Sequence, residues 1–556
     1  MITFHSLATI NPSLPIALLV VSGAALVVHL IFNRLEPLSL PVPILFFICL
    51  PLGLSVLLQP YLSHLAAIST AFLVFHGTLL TSITIYRLSS FHPLAQYPGP
   101  IRLKLSSWWV YQMAASGKRH QYICSLHKKY ASDVVRIGPN ELSLVDVSAI
   151  PQIMGSNGLT KGPGWDGHTR YSENRPLIAW RDPAMHAQRR RPWTRAFSTA
   201  ALKEYEPTLA ERTVQLVEMM TRTPGKAVDL AECMRFFSYD FMSDMAFGGG
   251  SELMRDGDTH GFIETMHKGV LDAIVAEACP WYAYYVPNSL TTFLRASATR
   301  AQERILRGAV RKDVFHFLNH DDRPESSPPL LLVAAEGSMV ILAGSDTTAA
   351  TLSSIMFYLI QDPHSYKKLQ NEVDTFYPPG DSALDCKYHS QMPFLEAVIN
   401  ESLRLYPLIP TGSQRATKGD GLALNSCYIP PNTSVRLHTW TIHRDPRNFS
   451  PNPDGFWPDR WLIAEDPSSY KGPEPFVHNT TAFIPFSYGP ANCAGKNLAL
   501  KELRMVLCCM MQQVELSFEE SYDPDDWDRD MKDFFILDVG RMPVVVKPRS
   551  ADSMVY

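Results

Sequence analysis

Phe486-Ser487-Tyr488-Gly489-Pro490-Ala491-Asn492-Cys493-Ala494-Gly495 is the stretch on which the reading of this chain turns. One cysteine stands in a loop punctuated by glycines, and an amphipathic helix follows from Lys496. Glycine lets a loop turn tightly and lets backbone come close to a flat ligand. Amides at a helix N-terminus can donate to a sulfur anion and keep it charged. Such a thiolate can ligate heme iron and push electron density toward it. The alternative is a buried structural cysteine, the usual fate of a free thiol. The nine cysteines include no CxxC pair, which speaks against a disulfide scaffold, a zinc cluster or a redox dithiol.

Working outward, Leu330 to Gln361 is apolar nearly all round, the mark of a buried helix or a membrane span. Glu336 and Asp346 lie inside it among Ser345, Thr347 and Thr348, a costly set in lipid, so a helix through the core of a domain is expected. At its centre, Ala343-Gly344-Ser345-Asp346-Thr347-Thr348 offers a glycine at which a helix can bend or open. Beside it stand an acid and a hydroxyl able to relay protons. Threonines that only bond back to their own helix are the alternative. Glu401-Ser402-Leu403-Arg404 sets opposite charges at i,i+3 on a helix that Pro407 ends.

Together these segments resemble the cytochrome P-450 superfamily. The cysteine loop is similar to its FxxGxRxCxG heme signature at Phe486, Gly489, Cys493 and Gly495. It departs at Ala491, where the family carries an arginine that meets a heme propionate. Ala343 to Thr348 resembles the oxygen-activation motif, with Thr347 and Asp346 as its threonine and proton-delivering acid. Phe456-Trp457-Pro458-Asp459-Arg460-Trp461 is similar to the meander motif, whose arginine joins the ExxR pair in a buried triad. Glu401, Arg404 and Arg460 are therefore expected to fix the cysteine loop, not to do chemistry. Asp182 to Phe197 resembles the helix that supplies WxxxR to the propionates. Counting back from Phe197 puts Arg190 at the arginine and His186 at the tryptophan, with Trp193 as the alternative aromatic partner. Arg415 looks like a second propionate contact, where a guanidinium offers two parallel donors to a carboxylate.

The resemblance covers Tyr97 to Val546 and implies a mainly α fold with a small β portion, preceded by transmembrane helices. It implies heme b with its iron axially ligated by Cys493, and a monooxygenase that inserts one atom of O2 into a lipophilic substrate. Electrons would come from NADPH through NADPH-cytochrome P-450 reductase. The texture is similar to fungal microsomal members serving specialised metabolism, and terpenoid skeletons are the expected substrates. Two rivals are a heme-thiolate isomerase or dehydratase that needs no reductase, and a non-enzymatic membrane heme protein. The retained Asp346-Thr347 pair argues against both.

The chain has 556 residues and a formal net charge of −4, so no global basic field invites nucleic acid. Three apolar stretches open it, Pro12 to Phe32, Leu38 to Leu58 and Tyr61 to Tyr86. Each has about the 20 residues needed to cross a ~30 Å hydrocarbon core. Arg34 follows the first, and Arg87, Arg102 and Lys104 follow the third, which places the first loop and the rest of the chain in the cytosol. Residues 1–90 thus read as a three-span anchor, in the endoplasmic reticulum by the resemblance, and 97–556 as one catalytic domain. Tyr97-Pro98-Gly99-Pro100 is a stiff hinge between them. Within the domain, residues 134–146 read as a hairpin, and 201–222, 298–318, 330–361, 391–406 and 494–514 as helices. The segment 407–485 reads as short strands and an irregular meander. An apolar pocket is expected from 155–180, 250–290, 408–413 and 534–537. Lys496, Lys501 and Arg504, with the basic helix around Arg190, are expected to face an acidic electron donor.

Overall fold

The computed structural model describes residues 12–549, apart from 36, 38, 170–171, 223–224, 260, 286–289 and 310. It is mainly helical with a small β portion, as expected. Leu330–Gln361 is one uninterrupted helix with the expected bounds. By length and composition it could cross a membrane, but its sides are covered by helices Leu230–Phe247, Leu290–Arg307, Pro393–Leu405 and Lys496–Gln513. It is the axis of the domain. Asp362 ends it and caps the next helix, Pro363–Phe376, by accepting from the amides of His364 and Ser365.

Helix Leu230–Phe247 lies against this axis and is almost wholly buried. Asp229 caps its start, and Gly248, at φ +66°, ends it in the left-handed conformation that glycine adopts without cost. The helix expected over 298–318 is instead two. Gly308, at φ +76°, breaks it, and Asp313 then caps Val314–Leu318 by accepting from the amide of His316 at 2.8 Å. Arg304 closes the corner through Nε and Nη2 to the Asp313 carboxylate at 3.0 and 3.1 Å.

The largest sheet has the order Val134–Gly138, Glu141–Leu144, Ser434–Leu437, Arg415–Ala416, Thr160–Lys161. Its first two strands are the expected hairpin. A second hairpin, Lys532–Phe534 with Ile536–Asp538, brings its tip Phe535 to the distal side of the domain.

At the N-terminus three helical stretches, Leu14–Phe32, Pro41–Leu58 and His64–Leu88, are long and apolar enough to cross a membrane. They pack together on small residues such as Ala17, Ala25, Ala67 and Ala71 and leave Leu19, Leu30, Leu73 and Leu80 facing outward. Small residues at the seam allow close helix approach where lipid removes the hydrophobic drive.

The axis packs so closely on its neighbour that a Cβ at Gly337 would lie 2.5 and 2.6 Å from Cε1 and Cζ of Phe247. Gly337→Ala should therefore cost about 1–3 kcal/mol by overpacking, read as a lowered unfolding midpoint of the detergent-solubilised protein. An unchanged midpoint would show that the Phe247 ring can move aside.

Candidate functional site: a cavity above the cysteine loop

The cysteine loop is tied down before it does anything else. The Cys493 amide donates to Phe486 O at 2.9 Å, closing the loop on itself. Gly489 sits at φ +71°, and a Cβ there would come within 2.0 Å of Met154 O, so only glycine fits this turn. Gly489 thus shapes the loop against its neighbour and does not itself line the cavity. Arg190 grips the residue before the cysteine with two donors, Nη1 to Asn492 O at 2.7 Å and Nη2 to Asn492 Oδ1 at 2.9 Å.

Behind the loop lies the expected triad, with no solvent access. Glu401 accepts from Arg404 Nε at 2.9 Å and Nη2 at 2.8 Å, and from Arg460 Nε, the Trp457 amide and Trp461 Nε1, each at 3.0 Å. Burial works against its charge, but Arg404 first and then Arg460 hold the carboxyl below the ordinary glutamate range. Arg404 also donates to His443 O at 2.8 Å and Gly455 O at 3.1 Å, pinning the meander. His443, not singled out from the sequence, passes the constraint on. Its Nδ1 pairs with Arg404 O at 3.1 Å and its Nε2 accepts from the Ile484 amide at 3.0 Å, two residues before Phe486. Burial, then the Arg404 charge, push this imidazole down to about 3, so it stays neutral.

The Cys493 sulfur opens into a cavity of about 480 Å³ deep inside the domain. Burial pushes its thiol up, while the amides of Gly495 and Lys496 and the Arg190 charge favour the anion. Phe486, Ala491, Gly495, His186, Trp193, Arg190, Arg415 and Thr347 all line this cavity. Both His186 and Trp193 therefore reach the wall, and the register of that helix admits either. Asp346 does not line the cavity, although Thr347 beside it does. The Thr347 hydroxyl donates to Ala343 O at 2.6 Å, the back-bonded state, which leaves its oxygen lone pairs free to accept. The helix keeps its hydrogen bonds through Gly344. The missing side chain there makes room for Met242, whose Cε would lie 2.5 Å from a Cβ.

The expected lining segments 155–180 and 408–413 are present, with Phe534, Phe535 and Ile536 of the hairpin. The region 250–290 contributes only Gly269 among the described residues, and Phe293 and Leu294 follow it. Leu537 lies behind the wall, its amide donating to Leu408 O at 2.9 Å. The expected basic face is also partly compensated. Lys501 is paired with Glu206 and Arg504 with Glu396.

One wall is strongly cationic. Lys161 and Arg415 are directly opposed across two antiparallel strands, so both side chains leave the sheet on the same face. Arg415 Nε has no partner among the described residues, and Nη1 reaches only Leu159 O at 3.4 Å. Burial lowers Arg415 to about 10, and burial followed by Arg415 and Arg190 lowers Lys161 to about 7. His186, against the same cations, is pushed down to about 4, chiefly by burial. Like charges facing each other cost stability unless an anion lies between them. A flat dianionic group such as heme, its carboxylates on this wall and its metal at Cys493, fits these residues. Lys161 stands in the same cation cluster and was not foreseen in the sequence.

Glu336 stands behind the wall, accepting from the Leu177 amide at 3.0 Å. Burial raises its carboxyl from 4.5 to about 7. A raised folded-state value means the fold holds a proton that the unfolded chain has already released. Stability from this group is thus complete below pH about 4.5 and declines as pH rises to about 7. Glu336→Gln keeps an acceptor for Leu177 and should flatten that slope in a series of unfolding midpoints against pH. For the triad, Arg404→Ala leaves Glu401 buried with too few donors and should cost about 3–5 kcal/mol, read as loss of heme loading. Cys493→Ala should instead leave a folded chain that lacks the red-shifted carbon monoxide band of sulfur ligation.

The family described as "Cytochrome P450" matches residues 97–540. A cytochrome P450 monooxygenase, FCK2 of Fusarium pseudograminearum (strain CS3096), is 33% identical over 85% of this chain and 85% of its own length. Cytochrome P450 67 of Uromyces fabae is 30% identical over 92% and 95%. The tryprostatin B 6-hydroxylase of Aspergillus fumigatus is 29% identical over 85% and 83%. Among solved structures, the crystal structure of the cytochrome P450DA heme domain superposes with a TM-score of 0.66 at 19% identity, over 78% of this chain and 93% of that one.

Proposed function

The chain belongs to the cytochrome P450 family, and on that premise we propose that it is a membrane-anchored monooxygenase of fungal specialised metabolism. In this reading Cys493 is the axial ligand of heme b, and the cavity beside it holds a lipophilic substrate. The observation that carries it is the convergence of the Cys493 sulfur, from the loop, and the Thr347 hydroxyl, from the long helix, on one apolar cavity with a cationic wall. Bound heme supplies the oxidising chemistry, because a thiolate ligand favours cleavage of the O–O bond.

The protein's own groups then have separable tasks. Arg190, Arg415, Lys161 and His186 form the wall that takes the cofactor's carboxylates. Arg190 and Arg415 carry charge there, and buried His186, kept neutral, serves as a hydrogen-bonding group. Lys161, lowered to about 7, becomes fully charged when a carboxylate binds beside it. Thr347 accepts a hydrogen bond from a water in the cavity while donating its own to Ala343 O. Asp346, outside the cavity, supplies protons from the solvent side to the water that Thr347 holds. Residues 1–90 anchor the domain through three spans, at the endoplasmic reticulum with the domain cytosolic. The route suits a substrate that partitions into lipid. Electrons arrive from NADPH through a membrane reductase, docking near Lys496 on the side of the cysteine loop away from the cavity. Compensation of Lys501 and Arg504 weakens the charge steering this face can exert.

The substrate is sought among terpenoid skeletons and, given the relatives, tryprostatin B. The test is co-expression with a fungal reductase and mass-spectrometric search for one added oxygen. Thr347→Ala should keep heme and the sulfur-ligated spectrum, lower product formation by about 10²-fold, and divert NADPH consumption into hydrogen peroxide. Product formed without NADPH would favour the isomerase or dehydratase reading instead.

A further inference from the structure

The roof of the cavity is aromatic. Trp165 and His168 come from the short helix Gly164–His168, and Phe535 comes from the tip of the hairpin. The Phe535 ring meets Trp165 edge-on at 5.5 Å and His168 at 5.9 Å. Phe535 holds φ +78°, a conformation that a phenylalanine does not keep by itself and that its surroundings must impose. Two chain segments far apart in sequence thus have to meet in one geometry.

A continuous line of polar contacts runs behind them from one backbone amide to the other. The Gly164 amide donates to Gln414 Oε1 at 2.9 Å, and Gln414 Nε2 donates to Glu141 Oε1 at 3.0 Å. Arg436 Nε donates to that same Glu141 oxygen at 2.6 Å, and Arg436 Nη2 to Glu277 Oε1. Arg119 Nη1 donates to Glu277 Oε2 at 2.9 Å, and Nη2 and Nε to the Asp533 carboxylate at 3.2 and 3.3 Å. Asp533 Oδ1 finally accepts from the Phe535 amide at 3.2 Å. The five charged members alternate in sign, so each arginine lies between two carboxylates. All but Glu141 are buried. Their order links the main sheet, the helix Phe262–Ala278 that carries Glu277, and the hairpin. That helix also presses on the roof directly. A Cβ at Gly167 would lie 2.2 Å from Ala276 O, so the short helix sits against it with no space to shift.

We propose that this alternating chain sets the distance and register between the two halves of the aromatic roof. Arg119, Glu277, Arg436 and Asp533, none of which lines the cavity, are then positioning residues for substrate selectivity. A buried ionic lattice suits this task because it is directional and intolerant of partial satisfaction, whereas apolar packing can slide. The inference rests on the heme-enzyme reading for what fills the cavity, and on geometry alone for the chain itself.

The test uses the full-length, heme-loaded protein and two iron-binding probes, imidazole and 1-dodecylimidazole, followed by the Soret shift. Imidazole touches the metal alone, and the dodecyl chain must run along the roof. Asp533→Asn should leave imidazole affinity unchanged and weaken 1-dodecylimidazole by about ten-fold. It should also speed hydrogen exchange of the Phe535 amide and, at the far end, of the Gly164 amide. Equal losses for both probes, or faster exchange at Phe535 alone, overturn the proposal, since a purely local or general structural role gives those results. So does a wild type that binds the long probe no more tightly than imidazole. If Asp533→Asn does not load heme, Glu141→Gln at the opposite end is read the same way, with Phe535 as the remote reporter. A wild type that shows no shift with either probe takes down the heme-enzyme reading and this inference with it, while the exchange coupling still tests the chain on its own.

Discussion

Glu401 carries five hydrogen bonds in a place without water, and most of the domain's irregular half hangs from it. A carboxylate removed from solvent is costly unless nearly all of its acceptor capacity is used by well-placed donors. Here the donors come from one turn of its own helix, from a backbone amide, and from Arg460 and Trp461 of the meander. The segment between residues 407 and 485 has little regular structure with which to hold itself, so it borrows rigidity from this one group. Through Arg404 and His443 that rigidity reaches the Ile484 amide and the loop beyond it. The loop that carries Cys493 is thus connected, through Arg404 and His443, to a charge that does not line the cavity.

Much of this was legible because it is local. The spacing of Glu401 and Arg404, the glycines around Cys493, and the unbroken apolar run of the long helix are properties of short windows, and the structure has each where the spacing puts it. What escaped needed partners distant in sequence. Lys161 means nothing until a strand pairing sets it opposite Arg415, and His443 looks like any loop histidine until Arg404 and Ile484 close on it. Helix Leu230–Phe247 is buried on nearly every side, so it lacks the polar stripe by which a surface helix declares its period. Gly308, inside a helical pattern, was the visible sign of a break that the surrounding periodicity obscured. Gly344 lines the cavity, and its lack of a side chain has a second use that the sequence does not display. It accommodates Met242 of the adjoining helix, and the helical hydrogen bonding continues through it.

The main sheet shows how one small element serves two chemistries. Alternation along its strands sends Lys161 and Arg415 to one face, toward the cavity, and Arg436 and Glu141 to the other, where they meet in an ion pair. A slip of one residue in the register would exchange these faces and place uncompensated cations in the ionic chain. The short strands Arg415–Ala416 and Thr160–Lys161 have little length with which to hold such a register. The Gly162 amide, donating to Gln414 O at 2.9 Å, extends the pairing by one step.

The facing pair Lys161 and Arg415 has a consequence for the life of the polypeptide before it ever meets a substrate. Anything that binds the folded chain and not the unfolded one raises its apparent stability by mass action. Two opposed cations on a buried wall, Lys161 offset in part by Leu177 O and Ile178 O, cost stability that a bound dianion would return. Quality-control proteases act on the fraction that is unfolded at any moment. Cellular abundance of such a protein would therefore follow porphyrin supply, and scarcity would clear the surplus copies first.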